Sequence, residues 1–317
     1  LERPVAAVDF FARRVERLAD AHRELLMVLA LAPEALTAES LTKVLGADAA
    51  PMLDALLRER LVTVRVADGR SVWRLAREGE KPSLLAALTD DARRPLALKL
   101  GQELEAHGRL VAAAELLFSV SEADGASVAA KAAEALAARG ALEEASAWYA
   151  RAAAVLPSVA LAWGRVLAWL GDYRGAVRRL LSVREGPRAA LALEASRHLL
   201  KLGRPRLAEL LLDVAKRDAA LKVEAEAVYA ELLLATGRAA EVLTLSESSL
   251  ALRQTKGKAL LISGEPAKAQ ELFARNADEA SDDVRLHAAA RLNEGVAAYK
   301  RGDRERVHER ERGEEFY

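Results

Sequence analysis

Apolar residues recur every three or four positions along most of this chain, which is the spacing that places them on one face of an α-helix. Near the N-terminus the pattern predicts helices over residues 4–18, 22–32, 38–45 and 50–61. It then changes to strand-like runs, LVTVRV and RSVWRL, on either side of Asp68-Gly69. An Asp-Gly pair between two β-prone runs predicts a hairpin. Three helices and a hairpin make a winged helix, which we expect over residues 1–80.

Beyond this region, glycines divide the helical pattern into repeats. Each of these glycines precedes a new helix, and they stand at positions 108, 140, 171, 203, 237, 264 and 302. Five residues after each glycine comes a small or β-branched side chain: Ala113, Ala145, Ala176, Ala208, Val242, Ala269 and Val307. A helix-turn-helix unit of about 34 residues with such spacing is a tetratricopeptide (TPR) repeat. We therefore predict an all-α protein, apart from the hairpin, with linking helices over residues 81–107 and a TPR-like α-solenoid superhelix over residues 108–317.

Two of the repeats depart from the pattern. The interval that ends at Gly264 is only 27 residues long, which predicts a shortened helix around residues 246–256. The segment after Gly302 is almost wholly charged. That composition is typical of a solvated terminal cap, and a charged interaction tail is the alternative.

Four segments of the N-terminal half resemble a known family. They are FFARRVERLADAHRELLMVLALAP, LTAESLTKVLG, MLDALLRERLV with the hairpin after it, and LLAALTDDARRPLALKLGQELEAHG. The first three resemble the winged-helix segment of STAND-type signalling ATPases, which include the large LuxR-like regulators. The fourth resembles the linking helices that this family places before its TPR-like repeats. The resemblance covers residues 7–157, and the repeats beyond it are generic.

This resemblance implies a non-catalytic sensor and protein-interaction region of a signalling or regulatory protein. In such families the repeats sense a ligand or partner, and the winged helix relays that state to a nucleotide-binding core, often with a change in assembly. No G-x-x-x-x-G-K-[ST] motif occurs in this chain, and at the nearest fragment, Gly257-Lys258, Ala259 replaces the required hydroxyl residue. We expect any ATPase core upstream of Leu1, and we interpret a chain that begins with Leu as a fragment or a processed product.

Two other functions fit the same elements. A stand-alone TPR scaffold or adaptor would assemble protein complexes without an ATPase. A winged-helix transcription regulator would place residues 48–60 on DNA, with Asp54, Arg58 and Glu59 on the outer face of that helix. Phosphate binding needs a clustered basic face, whereas residues 1–77 carry 12 Lys and Arg against 11 Asp and Glu. A protein or peptide partner is therefore the stronger expectation, and nucleic acid the weaker.

Composition indicates neither catalysis nor metal binding nor a membrane span. The chain carries 47 Lys and Arg against 47 Asp and Glu, and its lack of cysteine excludes disulfides, thiolate metal sites and a cysteine nucleophile. No apolar run reaches the ~20 residues of a membrane span, so we expect a cytoplasmic protein. The five histidines do not pair at ligand spacing, and no catalytic motif occurs. We expect no enzyme activity, no metal and no cofactor.

Candidate binding residues follow from the register of the repeats, because the first helix of a TPR unit lines a concave groove. Residues nine, six and two places before each turn glycine are expected to face that groove. The polar and aromatic residues at these places are Lys131, Glu134, Arg165, Trp169, Glu194, Arg197, Lys201 and Glu231. Arginine forks beside an aromatic anchor suit an acidic or C-terminal peptide.

We therefore expect a partner segment on the face formed by Arg165, Trp169, Arg197 and Lys201. The alternative is that the two arginines pair with Glu134 and Glu194. Two further tryptophans, at positions 148 and 163, fit packing between helices as well as they fit a binding surface. The sequence leaves the identity of the partner open.

Overall fold

The computed structural model describes residues 13–302, apart from residues 68, 88, 185, 282 and 283. The chain divides into two compact units, Leu1–Val159 and Ala160–Tyr317. Most of the described residues are α-helical, and the strands form one small sheet in the first unit.

The first unit begins with a small mixed element. Its parts, in chain order, are helix α1 (Asp20–Leu31), strand β1 (Leu36–Thr37), helices α2 (Ala38–Leu45) and α3 (Ala50–Arg58), and strands β2 (Val62–Ala67) and β3 (Arg70–Leu75). The three strands form an antiparallel sheet in the order β1-β3-β2. The expected hairpin is present, because β2 and β3 pair up to Ala67 and Arg70, and Gly69 of the connecting turn has φ +73°.

Strand β1 was not expected from the sequence. Its two residues pair with the far strand of the hairpin, Leu36 with Trp73 and Thr37 with Val72. Leu36 and Trp73 are both buried. Thr37 also caps α2, since its hydroxyl accepts a hydrogen bond from the backbone N–H of Ser40 at 3.1 Å.

The remainder of the first unit is helical. Its helices are α4 (Lys81–Ala86), α5 (Asp90–Ala106), α6 (Leu110–Phe118), α7 (Glu122–Ala138) and α8 (Leu142–Ala152). The core under the mixed element is formed by buried leucines of α1 and neighbouring helices, among them Leu25, Leu26, Leu41 and Leu53. Helix α5 packs against both α1 and α2, so the mixed element and the first helix pair share a boundary.

The second unit consists of helices joined by short turns. They are α9 (Ala160–Trp169), α10 (Tyr173–Ser182), α11 (Arg188–Lys201), α12 (Pro205–Ala215), α13 (Lys222–Ala235), α14 (Ala239–Leu243), α15 (Leu250–Ile262), α16 (Pro266–Glu279) and α17 (Val284–Arg301). Successive first helices α9, α11, α13 and α15 contact one another, as do the two helices of each pair. This is the contact pattern of stacked repeats.

The turn glycines end the first helix of each pair. All seven have φ between +66° and +94°, a left-handed conformation that side chains other than glycine adopt only with strain. The small residues five places later are fully buried in six of the seven pairs, from Ala113 to Ala269. The seventh, Val307, lies outside the described residues, as does the charged segment after Gly302.

The shortened helix falls earlier than the sequence suggested. Helix α14 has only five residues, Ala239–Leu243, and it is followed by non-helical residues 244–249. Residues 250–256 are helical, as the first half of α15. The irregularity expected over residues 246–256 is therefore present at residues 246–249, whereas the shortened helix itself lies before that range. The Ser249 hydroxyl explains the sharp restart, because it accepts a hydrogen bond from the backbone N–H of Leu252 at 3.2 Å.

Candidate functional site

In the second unit, the first helix of each pair presents residues at three fixed distances from its turn glycine. We call the surface made by the residues nine, six and two places before the glycines of α9, α11, α13 and α15 the first-helix face. Its members are Ala162, Arg165, Trp169, Glu194, Arg197, Lys201, Val228, Glu231, Ala235, Thr255, Lys258 and Ile262. Adjacent first helices are in contact, so side chains of neighbouring repeats meet on this face, as Arg165 meets Glu194.

Glu194 joins two of the expected site residues. Its side chain is buried, and its Oε2 atom lies 3.0 Å from Arg197 Nη1 and 3.7 Å from Arg165 Nε. Arg197 also contacts Glu224 of the next first helix, at 3.1 Å. The alternative to partner binding was pairing of the arginines with Glu134 and Glu194. It is observed for Glu194, while the second carboxylate among the described residues is Glu224 and not Glu134. Two carboxylates balance the two guanidinium groups in this cluster.

His198 completes the cluster from within the protein. Its ring is buried, with Nε2 3.6 Å from Glu194 Oε1, and its centroid lies 5.9 Å from that of Tyr173. Burial lowers the pKa of His198, and the charge of Glu194 opposes that shift only in part. A neutral imidazole adds no charge to the cluster, so the balance between Arg165, Arg197 and the two carboxylates is retained.

The other expected residues of this unit meet in a small pocket. Lys201 and Glu231 line a pocket of about 250 Å³ together with Lys258, with apolar walls from Leu200 and Leu234. All three charged side chains are exposed. Neither lysine forms an ion pair or a hydrogen bond to another side chain within the described residues. The pocket is thus a place where positive charge is available to a partner.

Lys258 was missed in the sequence. It stands six residues before Gly264, the same distance that separates Arg165, Arg197 and Glu231 from their own turn glycines. The same spacing to a turn glycine therefore could have identified Lys258 in the next repeat of the sequence. Gly257-Lys258 does not form a phosphate loop, because both residues lie inside helix α15.

Trp169 differs from the neighbouring tryptophans. It is 63% exposed at the end of α9. Trp148 and Trp163 are partly buried, and each carries an arginine over its ring: Arg151 at 4.6 Å and Arg179 at 4.1 Å from the ring centroid. Of these three tryptophans, only Trp169 has most of its surface free for a partner.

Lys131 and Glu134 lie in the first unit, on helix α7. Lys131 forms an ion pair with Glu105 of the preceding first helix. Glu134 is exposed, and its charge adds to the burial that raises the pKa of Tyr149. These two expected residues therefore belong to the first unit, whereas the cluster and the pocket belong to the second.

Other kinds of site are not evident in the part of the chain that is described. Over residues 13–302, with the gaps given above, no three His, Asp or Glu side chains converge as metal ligands would. None of the helices described combines the length and apolar content needed to cross a bilayer. The chemistry available on the first-helix face is binding through charge and through one exposed indole ring.

Comparison with known proteins supports the fold. No family model matches the sequence, and no curated protein matches it. A signal transduction ATPase with numerous domains (STAND) from Pyrococcus horikoshii, which has a TPR sensor, is similar in structure, with a TM-score of 0.58 and 12% identity. The similarity covers 98% of this chain and 52% of that one, so the chain spans about half of the archaeal protein.

A TPR protein from Parabacteroides merdae is more distantly similar. Its TM-score is 0.43 at 18% identity, over 69% of this chain and 91% of that one, and that score is too low to support a conclusion. At 12% identity, the likeness to the archaeal protein shows the fold alone. The expected TPR-like helical solenoid with a small sheet is thereby confirmed.

Proposed function

We propose that this chain is the non-catalytic sensor or protein-interaction region of a STAND-like signalling protein in the cytoplasm, and that it binds a segment of a partner protein on the first-helix face. The observation that carries the proposal is the pocket of Lys201, Glu231 and Lys258. Trp169 lies on the same face and offers an exposed aromatic anchor. Charged and aromatic side chains in a concave groove are the usual means by which helical repeats hold a peptide.

The charge distribution favours an acidic segment. Arg165 and Arg197 are engaged with Glu194 and Glu224, so attracting a carboxylate to them would require one of those pairs to open. The ammonium groups of the pocket have no such partner within the described residues. An acidic side chain or a C-terminal carboxylate would therefore bind at the lysines, and the Glu194 cluster would hold the helices that position them.

The N-terminal element supports the STAND-like part of the proposal. Its order of helix, strand, two helices and hairpin, with strand order β1-β3-β2, fits a winged helix. Its third helix, α3, ends near Glu59, which pairs with Arg14, while Arg58 Nε donates to the Asp54 carbonyl at 3.3 Å. This surface is mixed in charge and partly engaged in its own contacts. A role in coupling domains therefore suits it better than DNA binding.

The test is selection of peptides from a display library by the intact chain, followed by affinity measurement. We expect the selected peptides to carry an acidic residue near an apolar or aromatic one. The double variant Lys201→Glu with Lys258→Glu should bind them at least about tenfold more weakly, since charge-assisted contacts are lost and repulsion replaces them.

A matched control is the double variant Lys222→Glu with Lys268→Glu. It makes the same change in net charge at exposed positions outside the first-helix face, and its affinity should be that of the unchanged protein. If the peptides bind the Lys201 and Lys258 variant as tightly as they bind the control, the groove is not their site. A chain that selects no acidic peptides would contradict the charge argument.

A further inference from the structure

A second cavity lies in the first unit, far along the chain from the pocket of the lysines. It has a volume of about 540 Å³, is open to solvent, and is lined by residues of β1 and the start of α2, of the hairpin, and of the last turns of α5. Leu36 and Leu104, both buried, form apolar parts of its lining. A cavity of this size accommodates a small organic molecule.

Positive charge is available in this cavity. Arg70, at the start of β3, lines it, and its side chain forms neither an ion pair nor a hydrogen bond within the described residues. Its charge lies close enough to Glu39 to contribute, as the smallest of several causes, to the lowered pKa of that carboxyl. Arg109, also in the lining, is held by Glu34. Among the described residues, Arg70 therefore supplies the guanidinium group of this lining that an oxyanion can reach without displacing another carboxylate.

The Glu103 carboxylate, by contrast, is engaged by its own neighbours. The Glu103 carboxylate lies between Lys43 Nζ at 3.6 Å and His107 Nδ1 at 3.2 Å. His107 Nδ1 is closer, at 2.9 Å, to the Glu103 backbone carbonyl, and Glu103 Oε1 is shielded from solvent without a hydrogen bond. An oxygen that is shielded from solvent is equally out of reach of a molecule in the cavity, so Glu103 is held by its neighbours Lys43 and His107 and is not a contact for a ligand.

The ion pair of Glu34 and Arg109 lies between this cavity and a neighbouring one. Glu34 and Arg109 line the 540 Å³ cavity and also a neighbouring cavity of about 580 Å³. The 580 Å³ cavity is lined by the first turn of α6 and by α7, and Arg139 is part of its lining. A ligand too large for the 540 Å³ cavity could extend into the 580 Å³ cavity if the Glu34–Arg109 ion pair opened.

We infer that the 540 Å³ cavity is a binding site for a small organic anion. The oxyanion, a carboxylate or a phosphate ester, binds Arg70. The lining comes from the mixed element and from helix α5 of the first helix pair, so the bound anion connects the two. This inference concerns the first unit and is independent of peptide binding in the second.

The experiment uses three probes with one carbon skeleton and the intact chain. Glycerol phosphate carries a phosphate, glycerate carries a carboxylate, and glycerol is the neutral reference. Binding is measured by calorimetry and by NMR shifts of the His107 ring. We expect at least one of the two acids to bind saturably and to shift the His107 resonances, and glycerol to do neither. Which acid binds more tightly distinguishes a phosphate ligand from a carboxylate ligand.

The variant Arg70→Gln should weaken binding of the preferred acid by about tenfold or more. Arg65→Gln is the matched control, because Arg65 is an exposed arginine on the adjacent strand β2, paired in register with Val72. The Arg65→Gln variant should bind the preferred acid with unchanged affinity. Absence of saturable binding of either acid in the millimolar range would overturn the inference, as would equal affinities of the two variants.

Discussion

Gly164 lies directly beneath the side chain of Leu180. A Cβ atom at residue 164 would stand 2.9 Å from Leu180 Cδ2, closer than real Cβ contacts allow. Gly164 is seven residues before its turn glycine and Leu180 is nine after it. The same relation joins Gly257 to Phe273, where the distance would be 2.4 Å. The two helices of these pairs therefore cross in contact, with the backbone of the first helix against a large side chain of the second.

The first prediction is that Gly257→Ala destabilises the protein. Alanine is the better helix former by about 0.5–1 kcal/mol, but overpacking a core costs about 1–3 kcal/mol. Phe273 is fully buried, so its ring cannot move aside at low cost. We expect a net loss of about 1 kcal/mol or more, measured as a lower midpoint of urea unfolding.

Gly295→Ala is the control for that substitution. Gly295 has the same distance to its turn glycine, but no described atom lies within 4 Å of a Cβ placed there. As far as the described residues go, only the difference in helix propensity remains, and the midpoint of urea unfolding should rise or stay constant. Equal destabilisation by both substitutions would contradict the role assigned to Phe273.

The second prediction concerns Glu194. Glu194→Gln removes the charge that holds Arg165 and Arg197, at a cost of about 1 kcal/mol, because both arginines are partly solvated. The same change should lower the pKa of His198 further, since Glu194 is the group that raises it. Chemical denaturation measures the first effect, and an NMR titration of the His198 ring measures the second.

Glu231→Gln serves as the comparison for Glu194→Gln. Glu231 is exposed and forms no ion pair within the described residues, so its substitution should change stability by less than about 0.5 kcal/mol. A rise in the pKa of His198 in Glu194→Gln would be the reverse of the expected electrostatic effect.

The third prediction is a dependence of stability on pH. The folded protein holds the pKa of His198 below the ordinary value of about 6.5 that it regains on unfolding. At a pH near or below that value, the unfolded chain therefore binds more protons at His198 than the folded protein does. The free energy of unfolding consequently falls as the pH is lowered. Urea midpoints measured from pH 7.5 down to 5 should decrease less in His198→Gln than in the unchanged protein. Identical slopes would show that His198 does not contribute.

The fourth prediction is that the intact chain does not bind DNA tightly. The element over residues 13–77 mixes acidic and basic side chains, and Arg14 is engaged by Glu59. In a gel-shift experiment at low salt, duplex DNA should remain unbound at concentrations where a basic winged helix would retard it. Tight and salt-sensitive binding would favour the transcription-regulator function over a coupling role.

Much of the fold could be predicted because it is local. Turn glycines such as Gly140 and Gly203 adopt the left-handed conformation that their immediate neighbours require at a helix end. Buried alanines five residues later follow from the same short repeat, and the Asp-Gly pair predicts its own hairpin. These features depend on residues within a few positions of one another, so periodicity in the sequence is sufficient to find them.

The sequence by itself thus determined the order of helix pairs, the hairpin and the side chains that share the first-helix face. Only the tertiary structure decided that Leu36 and Thr37 pair with a strand 35 to 37 residues away. It alone decided that Glu194 and Glu224 balance the two arginines, while the lysines have no partner within the described residues. It also decided that the helix shortens at Ala239–Leu243. The reason is that pairing and packing between distant segments depend on distances and burial in three dimensions, which local periodicity does not encode.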